Sequence, residues 1–263
     1  MSGRWPRPVV SALDVLNRRG KSVGVRLVKY TGKSPHFIHP KHLVDTPGHD
    51  WYLEHLRAAD VVLDIGCANG AHTVKAAGRV KRVVGMDHDV GQLRLASLSA
   101  RRLGLVNMHL LAWDLTRPFP FPDATFDAAL FLDVIEHLRP RLAVLGEIRR
   151  VLRPGGRLAV SGPNRETTWR GRLRDAGLFA FQDPDHKVEY TEAEFQAELR
   201  AGGFAPDGPA EPIVYDTPWA GLIDALGGVS LTLYARLSRW KREAALRDPG
   251  ESTGFRVVAR KSQ

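Results

Sequence analysis

The sequence predicts an α/β fold, in which a doubly wound, mostly parallel sheet is covered by helices on both faces. Strand-like and helix-like segments alternate from about residue 60 to residue 204. The strand-like segments are short, nearly continuous apolar runs, which are typical of parallel strands buried on both faces. The first of them, VVLDIG at 61–66, runs directly into a glycine turn and a helical segment, the order found at nucleotide-binding sites.

The individual elements can be placed in order along the chain. We predict strands over 61–66, 82–87, 106–112, 126–133, 156–162, 212–216 and 254–261. We predict helices over 71–78, 90–104, 141–156 and 191–204. The last of these helices opens with Thr191-x-x-Glu194, the pattern of a capping box, and closes at a glycine pair. This alternation is what a parallel sheet with crossover helices requires.

A segment from 217 to 250, here called the lid segment, interrupts the expected final hairpin. Its apolar residues recur at steps of three and four, which predicts an amphipathic helix that Gly227-Gly228 breaks. The stripe consists of Leu222, Leu226, Val229, Leu233, Leu237 and Trp240. Because its end is basic, two interpretations stay open: a lid packed on its own domain, or peripheral contact with anionic lipid through residues 222–247.

Length and composition predict one large domain. The chain has 263 residues, of which 43% are hydrophobic and 25% charged, enough for a well-buried core. We expect an N-terminal extension or cap over 1–47, with a helix over 10–19, and the main domain over 48–263. No apolar run reaches the ~18 residues of a membrane-spanning helix, and the first residues lack the features of a signal peptide. The single cysteine, Cys67, excludes an internal disulfide and indicates a reducing, cytoplasmic location.

The net charge of +9 is high for this length. Such a charge attracts nucleic acid, an anionic membrane surface or a phosphorylated substrate. It is equally what an arginine-rich genome produces, and composition leaves these interpretations open. Because the basic residues are dispersed over the N-terminal and lid segments, without a compact basic-aromatic module, we expect RNA binding to be weak and salt-sensitive.

Acidic side chains follow three successive predicted strands. Asp64 ends the first strand, Asp87 closes the second and Asp114 follows the third. Because parallel strands end at the same edge of the sheet, where open α/β sheets bind ligands, we expect the three carboxylates to line one pocket. Asp87 is placed to accept hydrogen bonds from ribose hydroxyls, and Asp114 from an adenine amine. The structural alternative for each is a strand-end turn or cap.

The glycine turn argues against a dinucleotide. Its glycines are spaced as Gly66-x-x-x-Gly70, and Asp64 at its entrance would repel a pyrophosphate. S-adenosylmethionine (SAM) fits better, because it has no phosphate and its methionine end carries an ammonium and a sulfonium. Asp64 would attract that ammonium, directly or through water, while the glycines let the backbone approach closely. A plain tight turn is the alternative.

The sequence resembles the class I SAM-dependent methyltransferases. The matching segments, in the family's order, are VVLDIGCANG, VVGMDHD, LAWDLTRPFPFPDATFDAALFLDVIEHL, RRVLRPGGRLAVSGPN and HKVEYTEAEFQAELRAGGF. The resemblance implies a Rossmann-like seven-stranded sheet with an antiparallel last strand, and methyl transfer from SAM. It implies cofactor contacts from Asp64, Gly66, Cys67, Gly70, Asp87, His88, Asp114, Leu115 and Leu132. Ala68 stands where many members carry a glycine, so we expect the turn to avoid positive φ there.

The segment FLDVIEHL, directly past the fourth strand, carries the candidate catalytic residues. Asp133, Glu136 and His137 are spaced i, i+3 and i+4, and would share one face of a helix. The arrangement resembles the metal-binding segment of ubiquinone-pathway O-methyltransferases and of small-RNA 2′-O-methyltransferases, whose later histidine corresponds to His186. This resemblance implies a divalent metal, Mg²⁺ or Mn²⁺, on Asp133, Glu136, His137 and His186. The alternatives are His137 and His186 as metal-free general bases, or packing and capping roles.

We therefore predict a SAM-dependent methyltransferase that O-methylates a small hydroxylated metabolite, sugar or lipid-linked precursor. One alternative is an RNA ribose 2′-O-methyltransferase, which would need a basic, aromatic-bearing groove leading to the methyl site. The other is a non-catalytic SAM-binding scaffold protein. Loss of the acids at 64, 87 and 114 would favour the scaffold, and all three acids are present. The sequence makes no prediction of an oligomeric state.

Overall fold

A computed structural model gives the fold of residues 5–35, 37–44 and 48–262, and the description below concerns these residues. The chain divides into two compact units. The first, here called the helical unit, consists of Met1–His49, Asn164–Pro184 and Pro212–Gly254. The second, the sheet unit, consists of Asp50–Pro163, Asp185–Glu211 and Phe255–Gln263.

The sheet is mixed but mostly parallel. Its strands are β1 (Val61–Ile65), β2 (Arg82–Asp87), β3 (Met108–Ala112), β4 (Phe126–Phe131), β5 (Leu152–Pro163), β6 (Phe204–Pro206), β7 (Glu211–Pro212) and β8 (Gly254–Lys261). The spatial order is β3-β2-β1-β4-β5-β8-β6, and the short β7 pairs with β8. β1 pairs in parallel with both β2 and β4, so the strand order reverses around β1, where open α/β sheets bind ligands.

Eight α-helices accompany these strands in the described part of the chain. They are α1 (Arg7–Tyr30), α2 (Ala71–Ala77), α3 (Val90–Arg102), α4 (Arg141–Val151), α5 (Thr168–Asp175), α6 (Glu192–Ala201), α7 (Ala220–Val229) and α8 (Leu231–Arg247). Short 3₁₀-helices lie at Pro40–His42, Trp51–His55, Ile135–His137 and Pro249–Glu251. None of the helices seen in the described ranges combines the length and apolar character needed to cross a membrane.

The sheet unit owes its stability to apolar residues on both faces of the central strands. Leu63 and Ile65 of β1 pack into one cluster with the aromatic and aliphatic residues of β4, β5 and α4, while Val62 faces a second cluster with α2 and α3. Alternate residues of a strand point to opposite faces, so one strand serves both cores. Burial on both faces explains why the central strands appear in the sequence as continuous apolar runs.

The helical unit contains a close contact between α1 and α7. A Cβ atom added at Gly20 would lie 2.2 Å from the carbonyl oxygen of Gly221, and one added at Gly24 would lie 2.3 Å from that of Asp224. Larger residues would therefore separate the two backbones. The side chain of Asn17 also accepts a hydrogen bond from the N–H of Gly221. The glycines of α1 are packing positions inside one continuous helix.

The predicted α/β class and mostly parallel sheet are confirmed, as is the antiparallel final strand, because β8 pairs antiparallel with β6. The sheet has eight strands because the short β7 adds to the seven of the main path. The capping box at Thr191 and Glu194 is present at the start of α6. The division of the chain between residues 47 and 48 remains a prediction.

The predictions for the strand over 212–216 and for the break in the lid segment are wrong. The strand expected over 212–216 is reduced to the end of β7 and a single bridge at Tyr215, because Asp216 turns its carboxylate to Thr167 and Arg170. The lid segment does form helices, but they divide at Ser230, not at Gly227-Gly228. Both glycines lie inside α7, where their missing side chains admit neighbouring groups of the helical unit.

Candidate active site

The turn after β1 is a left-handed backbone segment held against the end of β2. Gly66, Ala68 and Gly70 have φ angles of 71°, 45° and 75°. The N–H groups of Gly66 and Cys67 both donate to the carbonyl of Met86, at 2.8 and 3.1 Å. The expectation that Ala68 avoids positive φ is wrong. The conformation is stabilised by the Ala68 N–H, which donates to Asp87 Oδ2 at 2.8 Å and offsets the steric cost of the Cβ atom.

Each of the two glycines of the turn leaves space for a different neighbouring residue. A Cβ atom at Gly66 would lie 2.6 Å from a methyl carbon of Val134, in the loop after β4. A Cβ atom at Gly70 would lie 2.7 Å from that of Ala96 on α3. Gly66 thus lets the loop after β4 approach the turn, and Gly70 lets α2 begin close against α3.

Asp64 is a buried acid at the end of β1, with 3% of its surface exposed. Its Oδ2 accepts a hydrogen bond of 2.6 Å from the Thr73 hydroxyl on α2. Burial raises the pKa of Asp64 to about 7, the hydrogen bond from Thr73 lowers it, and the nearby Asp87 raises it further. A buried carboxyl with only a neutral partner would gain stability from a cation, because the positive charge would compensate its lost hydration.

The carboxylate of Asp87 accepts one hydrogen bond from the glycine turn after β1 and another from the loop after β2. Its Oδ2 accepts from the Ala68 N–H and its Oδ1 from the N–H of Asp89, at 2.8 and 2.9 Å. The side chain is almost completely buried at the end of β2, beside Asp64 on the neighbouring strand β1. Asp87 is therefore in place at the predicted edge of the sheet, and its contact with ribose hydroxyls remains a prediction.

Asp114 is exposed and caps its own turn. Its Oδ1 accepts from both the N–H and the hydroxyl of Thr116, at 2.9 and 2.8 Å. These two hydrogen bonds hold the pKa of Asp114 below its ordinary value. The structural alternative considered for this residue is thus realised, while its second oxygen stays available for the predicted contact with adenine.

The remaining predicted cofactor residues differ in exposure. Cys67 is buried in the glycine turn, and burial raises the pKa of its thiol well above the ordinary range. Leu115 is buried and Leu132 is half-buried, so both offer apolar surface at the ends of β3 and β4. His88 is exposed, with Nδ1 3.4 Å from Asp87 Oδ1. Their contacts with a cofactor remain predictions.

The helix expected to carry Asp133, Glu136 and His137 on one face does not form, because Asp133 lies outside it. Asp133 has a φ of 55°, and the only helical turn in this segment is the 3₁₀-helix Ile135–His137. The N–H of Asp133 donates to the Ser161 hydroxyl at 2.9 Å, and that hydroxyl donates to Asp133 Oδ1 at 2.6 Å. Asp133 is thereby fixed to β5, and it does not join the group of potential metal ligands found among the described residues.

Glu136, His137 and His186 converge as predicted, although not through a helical face. Each offers one ligand atom, and these three atoms lie within 4.8 Å of one another. The two imidazole rings meet edge to face, with their centroids 4.8 Å apart. The N–H of Lys187 donates to the Glu136 carbonyl at 2.7 Å, which ties the loop of His186 to the 3₁₀-helix. One carboxylate and two imidazoles can bind a divalent transition metal or manage a proton.

One candidate site residue was not predicted from the sequence. Glu189 is buried, and its Oε1 lies 2.7 Å from Nδ1 of His186. The Nε2 atom of His186 is 3.9 Å from Oε1 of Glu136, beyond hydrogen-bonding distance. Because a carboxylate only accepts, this contact places the imidazole proton on Nδ1 and leaves the lone pair on Nε2. The spacing His186-x-x-Glu189 was the available signal, but it is unspecific in a loop.

The sequence comparisons identify known relatives of this chain. Residues 63–160 match the family model described as a methyltransferase domain. The chain is 31% identical over 172 residues to 27-O-demethylrifamycin SV methyltransferase of Amycolatopsis mediterranei, covering 62% of this chain and 60% of that protein. It is 36% identical over 154 residues to a probable S-adenosylmethionine-dependent methyltransferase of Mycolicibacterium smegmatis, covering 58% of this chain and 54% of that protein. The chain thus spans less than two thirds of the length of either relative.

Solved structures show the same fold at lower sequence identity. A SAM-dependent methyltransferase from Methanosarcina mazei is 21% identical, with a TM-score of 0.56, and the match covers 80% of this chain and 95% of that one. The [4+2]-cyclase SpnF is 19% identical, with a TM-score of 0.63, and the match covers 95% of this chain and 97% of that one. At these identities the likeness concerns the fold, which a methyltransferase and a cyclase share.

Proposed function

We propose that this chain is a class I SAM-dependent methyltransferase and that it methylates a hydroxyl oxygen of a small organic acceptor. The observation that carries the choice of oxygen is the His186–Glu189 contact of 2.7 Å. A hydroxyl must lose its proton to become an effective nucleophile, and this contact supplies a histidine oriented to take it.

The acidic residues at the ends of β1, β2 and β3 have the chemistry that SAM would need from its binding site. Asp64 would attract the ammonium, Asp87 would accept from the ribose hydroxyls, and Asp114 would accept from the adenine amine. When bound, SAM supplies an electrophilic methyl group on a positively charged sulfur. The fit rests on Asp64, whose pKa is raised by burial and whose carboxylate has the neutral Thr73 hydroxyl as its hydrogen-bonding partner among the described residues, so the SAM ammonium would compensate its charge.

We infer that His186 acts as the general base. Glu189 fixes its tautomer, so the lone pair on Nε2 can accept the hydroxyl proton while the acceptor oxygen forms its bond to the methyl carbon. His137, beside it, would orient or share that proton. The loop of Val134 packs on Gly66 only two residues before Glu136, which supports a position of this cluster close to the cofactor turn.

A divalent metal is the second way to activate the same hydroxyl. Glu136, His137 and His186 are close enough to share one ion, and a set of one carboxylate and two imidazoles suits Mn²⁺ and softer ions better than Mg²⁺. In that case Glu189 would orient a metal ligand instead of a base, a common role for a carboxylate behind a coordinating histidine. Asp133 has no part in this version of the site, because Ser161 holds its carboxylate.

The acceptor class is proposed from the relatives of this chain. The rifamycin-related enzyme is named for an oxygen acceptor on a small molecule, which supports a hydroxylated metabolite here. A sugar or a lipid-linked precursor offers the same hydroxyl chemistry. We place the reaction in the cytoplasm, where the free thiol of Cys67 stays reduced. RNA is the alternative acceptor and would require strong binding that persists at physiological salt.

The experiment that tests the function is mass spectrometry of products formed with methyl-labelled SAM. Candidate acceptors are simple phenols, hydroxylated polyketides, glycosides and short RNAs. We expect the label on an oxygen of a non-nucleotide acceptor. Label on carbon or nitrogen would contradict O-methylation, and label on a ribose oxygen would favour the RNA alternative. SAM binding without transfer to any member of the panel would favour the scaffold alternative.

The base is tested by a pair of variants with a matched control. His186→Ala should lower kcat by about 10²–10⁴-fold, the usual contribution of a general base. Glu189→Gln should lower it less, because the imidazole remains but its orientation is lost. His109→Ala, which removes an exposed histidine of β3, should leave kcat unchanged. All three should bind SAM as the wild type does in calorimetry, which separates a catalytic effect from misfolding.

Chelation distinguishes the base from the metal. If an ion is used, a chelator should abolish turnover without reducing SAM binding, and added Mn²⁺ or Mg²⁺ should restore it. If His186 is a metal-free base, chelation should leave turnover unchanged. An unchanged kcat in His186→Ala would exclude His186 both as the general base and as a metal ligand. Catalysis would then rest on proximity alone.

A further inference from the structure

Nearly all of the net charge of the chain lies in the helical unit. Its three segments carry eighteen Lys and Arg against ten Asp and Glu, which gives +8 of the total of +9. The sheet unit, with twenty basic and nineteen acidic residues, is close to neutral. A uniformly basic composition would have spread the charge over both units. The separation indicates a surface function of the helical unit, distinct from the chemistry of the sheet unit.

Helix α1 has an exposed apolar stripe in addition to its packed face. Its buried residues Val10, Gly20, Gly24 and Val28 belong to the packed face, where the glycines contact α7. The stripe contains every seventh residue and therefore follows one line along the helix. It consists of Val9, Leu16, Val23 and Tyr30, with exposed fractions of 46%, 45%, 43% and 74%. An apolar line of this length needs an explanation, because scattered single residues are the usual pattern at a surface.

Basic residues accompany the stripe. Arg19 and Arg26 follow Leu16 and Val23 by three positions, so each lies one turn along the same side of α1. Both are exposed, and within the described ranges neither has a hydrogen bond or an ion pair. At the end of the helix, Lys29 lies over the ring of Phe37, with Nζ 4.0 Å from its centroid. The helix thus presents apolar and cationic groups together.

We propose that the helical unit binds the surface of an anionic lipid membrane, with α1 lying in the interface. A helix with an apolar line flanked by Arg and Lys has the composition of interfacial helices, whose apolar side enters the acyl boundary while the cations meet anionic headgroups. Charge complementarity favours an anionic membrane over the other possible partners. A second copy of the chain would bring Arg19 and Arg26 against identical cations, and a nucleic acid would leave the aliphatic stripe without a partner.

Helix α8 offers the same chemistry within the lid segment. Leu233 and Trp240 are exposed at a spacing of seven, and the exposed Arg236 and Arg239 lie between them. Leu222, Val229 and Leu246 add exposed apolar surface over the range 222–247. The stripe predicted from the sequence is therefore partly accessible, and α8 is the second element of the proposed membrane surface. The proposal does not rest on the proposed function, because it involves neither SAM nor an acceptor.

The test is flotation of the full chain with lipid vesicles, without SAM or acceptor. We expect binding to vesicles of phosphatidylcholine and phosphatidylglycerol mixed in equal parts, and little binding to pure phosphatidylcholine. Arg19→Gln with Arg26→Gln should weaken binding about 25-fold, since each basic residue near an anionic surface contributes about 1 kcal/mol, or about fivefold. Leu16→Gln with Val23→Thr should weaken it independently of salt, whereas the contribution of the arginines should vanish near 1 M salt.

Matched variants on the sheet unit provide the control. Leu98→Gln and the pair Arg101→Gln, Arg102→Gln alter equally exposed residues of α3 and should leave vesicle binding unchanged. An equal loss in these variants would overturn the proposal, because it would show non-specific adsorption. Equal binding to both kinds of vesicle would also overturn it. Tight binding to a short RNA that needs Arg19 and Arg26 but not Leu16 and Val23 would replace the membrane with nucleic acid.

Discussion

The protonation of Asp64 should control the affinity for SAM. The carboxyl has a pKa of about 7, because burial and the nearby Asp87 raise it more than the hydrogen bond from Thr73 lowers it. The SAM ammonium would be attracted to the ionised form only. Binding below pH 7 therefore requires the release of a proton, and the apparent affinity is reduced by the fraction of molecules in which Asp64 is ionised.

The expected magnitude follows from that pKa. With a pKa of about 7, about 1% of the molecules carry an ionised Asp64 at pH 5 and about half at pH 7. The affinity for SAM should therefore rise about 50-fold over this range, or about 2.3 kcal/mol. An ordinary aspartate, with a pKa near 3.9, would give a change of less than about 10% over the same range. The SAM ammonium itself stays charged below pH 7, so the slope belongs to the protein.

Isothermal titration calorimetry at pH 5, 6 and 7 measures this effect. Repeating the titration in buffers of different ionisation enthalpy counts the proton released. Asp64→Asn keeps the shape of the side chain and an acceptor for Thr73, and it should give weak binding that is nearly independent of pH. A flat profile for the wild type, or the same slope in Asp64→Asn, would refute the assignment of Asp64 to the ammonium.

The same turn supports two further predictions. Asp87→Ala should weaken SAM binding, measured by calorimetry, by about 1–3 kcal/mol, because it removes the ribose acceptor and leaves the Ala68 N–H without its partner. The control is Asp89→Ala, which removes only the cap of α3 and should show no comparable loss. Gly66→Ala should lower thermal stability and abolish SAM binding, since its φ is 71° and Val134 occupies the space of a Cβ atom. Gly146→Ala, in an open helical position, should instead stabilise by about 0.5–1 kcal/mol; equal melting temperatures for the two glycine variants would contradict this account.

The strands were predictable because burial on both faces requires continuous apolar runs. The bounds of β2 and β8 agree with the prediction, and each of the other long strands was found with shifted ends. The largest shift is at β5, which begins at Leu152, whereas the pattern placed the residues up to 156 in the preceding helix. The stop signal Pro154-Gly155-Gly156 places the end of the helix too late, because apolar periodicity continues past Val151, where α4 ends.

The helical unit was less predictable because its helices depend on tertiary contacts. Helix α5 contains four charged residues in eight and no regular apolar stripe, yet Trp169 and Leu173 are buried together with Val10 of α1. Helix α1 extends to Tyr30, far beyond the predicted end at residue 19. Gly20 and Gly24 indicate the end of a helix in a sequence, but here they allow the close approach of α7.

The site illustrates the same division between local and long-range information. Parallel strands end at a common edge, so Asp64, Asp87 and Asp114 could be placed together from the chain order alone. Side-chain spacing was a poorer guide. The expected helical face through Asp133 does not exist, and Glu189 contacts His186 at an i,i+3 spacing that is not a specific signal in a loop. Pairing between loops requires the folded backbone, and sequence spacing reports only neighbours within regular elements.

Ala68 and Asp87 show how the cofactor turn is held in a conformation that its own sequence disfavours. A non-glycine residue at a φ of 45° costs about 1–2 kcal/mol relative to ordinary backbone. The hydrogen bond from its N–H to the buried Asp87 is charge-assisted when the carboxyl is ionised, and such bonds contribute about 1.5–3 kcal/mol. The two magnitudes are similar, so we expect loss of the acid at the end of β2 to destabilise the turn, which the hydrogen bonds to the Met86 carbonyl also hold. Asp87 therefore shapes the backbone of the pocket as well as offering an acceptor to a ligand, which explains how Ala68 can stand where a glycine would be unstrained.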